Sequence, residues 1–175
     1  SHANDGVDHG FLRDADGFIT TFDPPGSLFT YPLSINSAGA ITGFYETGTS
    51  PYDHVSHGFL RDAYGTITTI DVPGSSSTHP VSINTAGTIA GYYYADGLYH
   101  GFLWDATDGF TTVDPLESVQ TEVNGINTAG AIAGYYYDVN EVVHGFLRDS
   151  GGAFTTFDPL GSTYTDADSI NDAGA

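Results

Sequence analysis

Four histidines open the same tetrapeptide. His-Gly-Phe-Leu begins at His9, His57, His100 and His144, at intervals of 48, 43 and 44 residues. Imidazoles recurring in this way would become symmetry mates in a ring and could hold a transition metal near its axis. The competing chemistry is structural: each imidazole tied to a carboxylate of its own unit. Asp14, Asp62, Asp105 and Asp149 follow five residues on and recur with the histidines. A group present in every copy is architecture before it is a site. We therefore read these eight positions as structural and leave any metal unassigned.

Tyrosines supply the second chemistry. Tyr45, Tyr93, Tyr94, Tyr136 and Tyr137 lie beside carboxylates such as Asp138. Aromatic faces stack on sugar rings and carboxylates accept hydroxyl hydrogen bonds, so these are candidate ligand-binding residues for glycans. The same rings would serve equally as packing between sheets, with hydroxyls at the rim. Trp104 is a further candidate. It stands where the other copies carry Arg13, Arg61 and Arg148, so it breaks the repeat and could open a distinct pocket. The three arginines are expected to form fork-shaped pairs with carboxylates.

Acidic turns supply the third. Asn4-Asp5-Gly6-Val7-Asp8 and Asp14-Ala15-Asp16-Gly17 resemble parts of calcium loops. Neither has the full set of spaced carboxylates with a terminal Glu, and Asp-Gly is also an ordinary hairpin turn. Calcium stays a candidate ion, and no other cofactor is implied. Catalytic signatures are missing. The chain has no cysteine and no lysine, and it lacks the Gly-x-Ser-x-Gly elbow. Paired carboxylates could cleave glycosides, yet each Asp considered belongs to a repeat column. The expectation is a protein that is not an enzyme, with a glycoside-active enzyme the remotest alternative.

The elements that must position these residues are β-strands. Each unit continues from His-Gly-Phe-Leu to Thr-Thr-x-Asp, then to Ile-Asn-x-Ala-Gly, and three units close on Gly43-Phe44-Tyr45, Gly91-Tyr92-Tyr93 and Gly134-Tyr135-Tyr136. The repeats span approximately 9–56, 57–99, 100–143 and 144–175, in one domain over 1–175. No helical periodicity occurs. In the second unit, strands are expected at 57–61, 66–70, 79–83 and 88–94, separated by turns rich in Gly, Pro, Asn and Asp. Both faces of these strands are apolar or small, as in a sheet covered on both sides. Four strands in about 44 residues is the size of a propeller blade. The expected fold is all-β, a β-propeller of about four four-stranded blades. A β-solenoid and half of a larger propeller are the alternatives.

The recurring His-Gly-Phe-Leu, Thr-Thr-x-Asp-Pro and Ile-Asn-x-Ala-Gly-x-Ile-x-Gly-Tyr-Tyr resemble the bacterial HAF extracellular repeat. The resemblance runs through four copies and nearly the whole chain. It implies an exported or cell-surface protein, and it carries over no catalytic residues.

The last unit stops short of its Ile-x-Gly-Tyr-Tyr strand. That strand is expected to come from another chain or from residues outside this sequence. An open sheet edge is a template for pairing, so self-association is expected, as a closed dimer or an open filament. Partner specificity is assigned to loops such as Thr47 to Val55 and Leu116 to Gln120. Composition narrows the partners further. Twenty-two acidic residues face three basic ones, for a formal net charge of −19. Such a surface repels nucleic acid and anionic lipid, and no apolar run reaches the roughly 20 residues of a membrane helix. The expected role is a non-enzymatic extracellular interaction or self-assembling structural module. The alternative is a multivalent carbohydrate-binding lectin.

Overall fold

A computed structural model describes residues 7–49 and 53–175. Asn4, Asp5 and Gly6 of the first acidic loop lie outside the described residues, as do residues 50–52 of the Thr47 to Val55 loop. Among the described residues the chain is all-β, with fourteen strands and no helix. No helix is therefore long and apolar enough to cross a membrane.

The strands form four antiparallel sheets, three of four strands and one of two. The short sheet pairs β1 (Gly10–Arg13) with β2 (Ile19–Phe22). The second sheet holds β3 (Phe29–Ile35), β4 (Ile41–Thr47), β5 (Val55–Arg61) and β6 (Ile67–Thr69) in chain order. The third holds β7 (Ser77–Ile83), β8 (Ile89–Ala95), β9 (Leu98–Asp105) and β10 (Gly109–Val113). The fourth holds β11 (Gln120–Ile126), β12 (Ile132–Tyr137), β13 (Val143–Arg148) and β14 (Phe154–Phe157). Among the described residues no sheet closes on itself.

These sheets are out of phase with the sequence units. Each complete sheet takes its first two strands from the end of one unit and its last two from the start of the next. The Ile-x-Gly-Tyr strand thus pairs with the following His-Gly-Phe-Leu strand, in the same register every time. Gly43 opposes Phe59, Gly91 opposes Phe102 and Gly134 opposes Phe146. The segment equivalent to β3, β7 and β11 in the last unit is not a strand. It makes one parallel bridge, Tyr164 to Val143, where the Thr165 N–H donates to the Val143 carbonyl. Among the described residues it has no antiparallel neighbour on its other side.

Consecutive sheets pack face to face, with β7 against β3, β4 and β5, and β11 against β7, β8 and β9. The core is therefore divided into layers between sheets. Ile70 of the second sheet meets Ile83, Ile89 and Phe102 of the third, and Ala90 and Val113 of the third meet Val123, Ile126, Ile132 and Phe146 of the fourth. Burial of both sheet faces matches the absence of clean polar alternation in the sequence. The four Ile-Asn segments converge on one pocket of about 420 Å³, lined by Ile35-Asn36-Ser37, Ile83-Asn84-Thr85, Ile126-Asn127-Thr128 and Ile170-Asn171-Asp172. A ladder of side-chain amides joins them. Asn36 Nδ2 donates to the Asn84 carbonyl at 3.0 Å, Asn84 Nδ2 to the Asn127 carbonyl at 3.3 Å, and Asn127 Nδ2 to the Asn171 carbonyl at 3.1 Å.

Candidate functional site

Each recurring histidine is engaged, and its partner differs from the expected one. His9, His57, His100 and His144 bond through Nδ1 to Asp23, Asp71, Asp114 and Asp158, at 2.7, 2.7, 2.8 and 2.8 Å. Asp14, Asp62, Asp105 and Asp149 lie five residues along the strand, about 17 Å away at a strand rise of about 3.3 Å per residue. The hairpin instead folds the fourteenth residue back beside the histidine. Asp14, Asp62, Asp105 and Asp149 are structural in a different way. Their Oδ1 atoms accept the turn N–H groups of Phe18, Thr66, Thr107 and Ala153, as Asp does in tight turns. Those backbone bonds hold the Asp62 and Asp105 carboxyls below the usual range.

The His–Asp pair ties three elements together. Asp71 Oδ1 accepts the Gly58 N–H at 3.0 Å and Asp114 Oδ1 the Gly101 N–H at 3.1 Å. Asp23 accepts the hydroxyl of Thr30, on the next sheet, at 2.7 Å. The tyrosine column completes the node. Tyr45, Tyr93 and Tyr136 lie over His57, His100 and His144 with ring centroids 5.2, 5.4 and 5.1 Å apart. Their hydroxyls reach Thr69, Thr112 and Thr156.

The remaining candidates divide. Tyr94 packs edge-on against Tyr99, and Tyr137 against Tyr135. Asp138 accepts the N–H groups of Asn140 and Val142 and lies 3.7 Å from His144 Nε2. Trp104 is half-buried against Phe110 and the Ile70–Phe102 cluster. Among the described residues the arginines do not fork onto carboxylates. Arg61 lies over the Phe22 ring at 5.0 Å and Arg148 over Phe154 at 5.9 Å, while the ion pairs of the described residues all use histidine. Among the described residues, no three His, Asp or Glu side chains come together in a way that could hold a metal.

One row of residues escapes the sequence reading. The residue after the recurring buried Thr changes type from copy to copy: Tyr31, His79, Glu122 and Asp166. In space these alternate with Phe44, Tyr92 and Tyr135 of the second strands. Tyr31 packs on Phe44 at 4.8 Å, Phe44 on His79 at 4.6 Å and His79 on Tyr92 at 5.1 Å. Tyr135 then lies beside Glu122, and burial together with that carboxylate raises the tyrosine's pKa. Burial pushes Glu122 and Asp166 above the usual carboxylate range and pushes Tyr92 up to about 12. Asn124 Nδ2 holds Asp166 at 3.0 Å. The row runs from an aromatic end to a carboxyl end. It was visible in the sequence only as the column that varied while its neighbours repeated.

No family model matches this chain, and no curated protein does.

The geometry of the site sets the response to pH. The bond to Asp158 raises His144, so its contribution is complete below about pH 6.5 and disappears as pH rises through the raised value. The bond to His144 lowers Asp158, whose contribution holds above about pH 3.9 and disappears as pH falls through the lowered value. Glu122 and Asp166 resist ionisation in the fold, so each favours the native state more as pH falls through its raised value. His79 opposes them, because burial keeps it neutral and its contribution is lost as pH falls from about 6.5 through its lowered value. Self-repulsion from the net charge of −19 also eases on acidification. Melting temperature is expected to be higher at pH 5.5 than at pH 8 by calorimetry. A flat or opposite trend would place His79 in control.

Proposed function

We propose that this chain is a non-enzymatic, self-associating structural module of the cell exterior, built as a propeller of the HAF repeat type with its sheets as blades. The convergence of four Ile-Asn segments on one pocket supports blades around an axis. The observation that carries self-association is the asymmetry of the first sheet. Its two strands leave Phe11 and Ile19 exposed, Phe18 just before the second is exposed too, and the neighbouring β3 leaves Leu33 and Ile35 exposed. The equivalents of Phe11 and Ile35 in the complete sheets are buried.

The His–Asp nodes favour a scaffold over catalysis. Thr47 Oγ1, His57 and Asp71 have the order of a hydrolytic relay, with Thr47 3.1 Å from His57 Nε2. The same His–Asp pair recurs in all four copies, and beside His144 the hydroxyl is replaced by Asp138. Light scattering across a hundredfold range of protein concentration tests the reading. Mass should rise above that of the 18.4 kDa chain, and a constant monomer would end it.

The second reading is a lectin. Glu122, Tyr135 and Asp166 support it, because rings beside protonatable carboxyls suit polyhydroxylated ligands. Glycan-array binding that is lost in Glu122→Ala would favour this reading, and silence on every sugar by folded protein would remove it.

A further inference from the structure

We infer that Asn124-Gly125 is a site of spontaneous deamidation, and that conversion of Asn124 to a carboxylate loosens the segment 164–170 from the fourth sheet. The inference stands apart from the self-association and lectin readings.

The dipeptide breaks the repeat at two adjacent columns. Leu33-Ser34 and Val81-Ser82 occupy the same positions in β3 and β7. In those strands the serine links one sheet to the next. The Ile83 N–H donates to Ser34 Oγ at 3.2 Å and the Ile126 N–H to Ser82 Oγ at 3.4 Å. Gly125 has no hydroxyl to offer Ile170, although a Cβ on it would lie 3.3 Å from the Ile170 nitrogen. Asn124 supplies the tie instead. Its Nδ2 donates to Asp166 Oδ1 at 3.0 Å and to the Ala167 carbonyl at 3.2 Å.

The change that moves the tie onto an amide also opens that amide to attack. The Gly125 nitrogen can reach the Asn124 Cγ without a side chain of its own in the way. The new N–Cγ bond closes a succinimide ring, the Cγ–Nδ2 bond breaks, and Nδ2 leaves as ammonia with the proton from the Gly125 N–H. Water then opens the ring to aspartate or isoaspartate. The pairing of β11 with β12 slips between Val123 and Gly125, so Asn124 is the residue that a bulge leaves out of the ladder. Turning its backbone breaks no register pair of its own, and its half-buried position keeps water within reach. The other described asparagines lack this combination. Asn36, Asn84, Asn127 and Asn171 precede Ser, Thr, Thr and Asp, and Asn140 precedes Glu. The Oδ1 atoms of the first four also accept the N–H groups of Ala40, Thr88, Ala131 and Ala175.

The product fits its surroundings badly. A carboxylate at position 124 has no hydrogen to give, and both of its neighbours, Asp166 Oδ1 and the Ala167 carbonyl, are acceptors. Burial and the nearby Asp168 already push Asp166 above the usual carboxylate range, so another acidic group beside it adds like-charge repulsion. Isoaspartate also routes the main chain through one more carbon at the bulge.

The test ages the intact protein at neutral pH beside a synthetic capped peptide with the sequence of Thr121–Thr128. Mass spectrometry then maps aspartate and isoaspartate at each asparagine. Asn124 should convert before Asn36, Asn84, Asn127, Asn140 and Asn171, and Gly125→Ser should slow it severalfold. Amide hydrogen exchange reads the second half of the inference. In Asn124→Asp, exchange at Thr165–Ile170 should speed up by about tenfold or more, the scale of a lost hydrogen bond to a charged group. Exchange at Ile89–Ala95 should match the parent and show that the fold persists. Asn124→Ala, which removes the tie without adding charge, should give a smaller increase. Four outcomes would each overturn the inference: an Asn124 still intact when the peptide has fully converted, another of these asparagines converting first, an unchanged rate in Gly125→Ser, or unchanged exchange at Thr165–Ile170 in Asn124→Asp.

Discussion

Gly134→Ala is expected to destroy the fourth sheet. A Cβ at this position would lie 2.1 Å from the Glu122 carbonyl oxygen and 2.9 Å from the Val123 Cα. Both atoms are backbone, so no rotamer change relieves the overlap. The crowding has a structural origin. The pairing of β11 with β12 slips between Val123 and Gly125, and the matching slips in the other complete sheets fall at Pro32/Ser34 and Pro80/Ser82. Such bulges bend the first strand, and in all three sheets its carbonyl lies within 2.0 to 2.2 Å of where a Cβ on the opposing glycine would sit. The cost should reach or exceed the upper end of core overpacking, about 3 kcal/mol, in a fold of this size whose whole stability is about 5–15 kcal/mol. Gly151→Ala is the control. Its Cβ would meet only the Asp149 side chain, at 3.3 Å, and the change should stay within about 0.5 kcal/mol. Urea denaturation followed by circular dichroism compares the two. A Gly134→Ala protein as stable as Gly151→Ala would show that the strands can part without loss.

Phe102→Ala carries the second large effect, and its value lies in comparison along one column. Phe102 fills the layer between the second and third sheets, packed with Ile70, Ile83 and Ile89. Removing a buried Phe side chain costs about 3–5 kcal/mol through lost transfer energy and the cavity left behind. For a domain of this size the melting temperature should fall by at least about 6 °C. Phe11→Ala changes the same residue of the same motif, at a position without a cover. It should cost under about 1 kcal/mol in dilute protein. If both variants lose the same stability, Phe11 is covered in solution, and repeating the Phe11→Ala melt at lower protein concentration then shows whether another molecule supplies the cover.

Much of the fold was legible because turn residues and apolar strands repeat together. Strands expected at 57–61, 66–70, 79–83 and 88–94 are found at Val55–Arg61, Ile67–Thr69, Ser77–Ile83 and Ile89–Ala95. The phase of the sheets was not legible. A cyclic pattern reads the same wherever the unit is cut, and only strand pairing reveals that Ile89–Ala95 joins the following Leu98–Asp105. The site was half legible. His57 and Tyr45 stood out by recurrence, but recurrence cannot choose between Asp62 and Asp71, which repeat equally well. Hairpin geometry makes that choice. Glu122 and Asp166 were passed over because attention to what repeats hides the column that does not.

The asparagine ladder has a further consequence. Every rung points the same way, from the amide of one asparagine to the carbonyl of the one after it. The arrangement is vectorial, with the Asn171 amide donor at its leading end and the Asn36 carbonyl acceptor at its trailing end. A two-fold junction across it would set like groups against like. Only a head-to-tail neighbour could prolong the ladder, so growth along this line would have a polarity, and its two extremities would be chemically unequal.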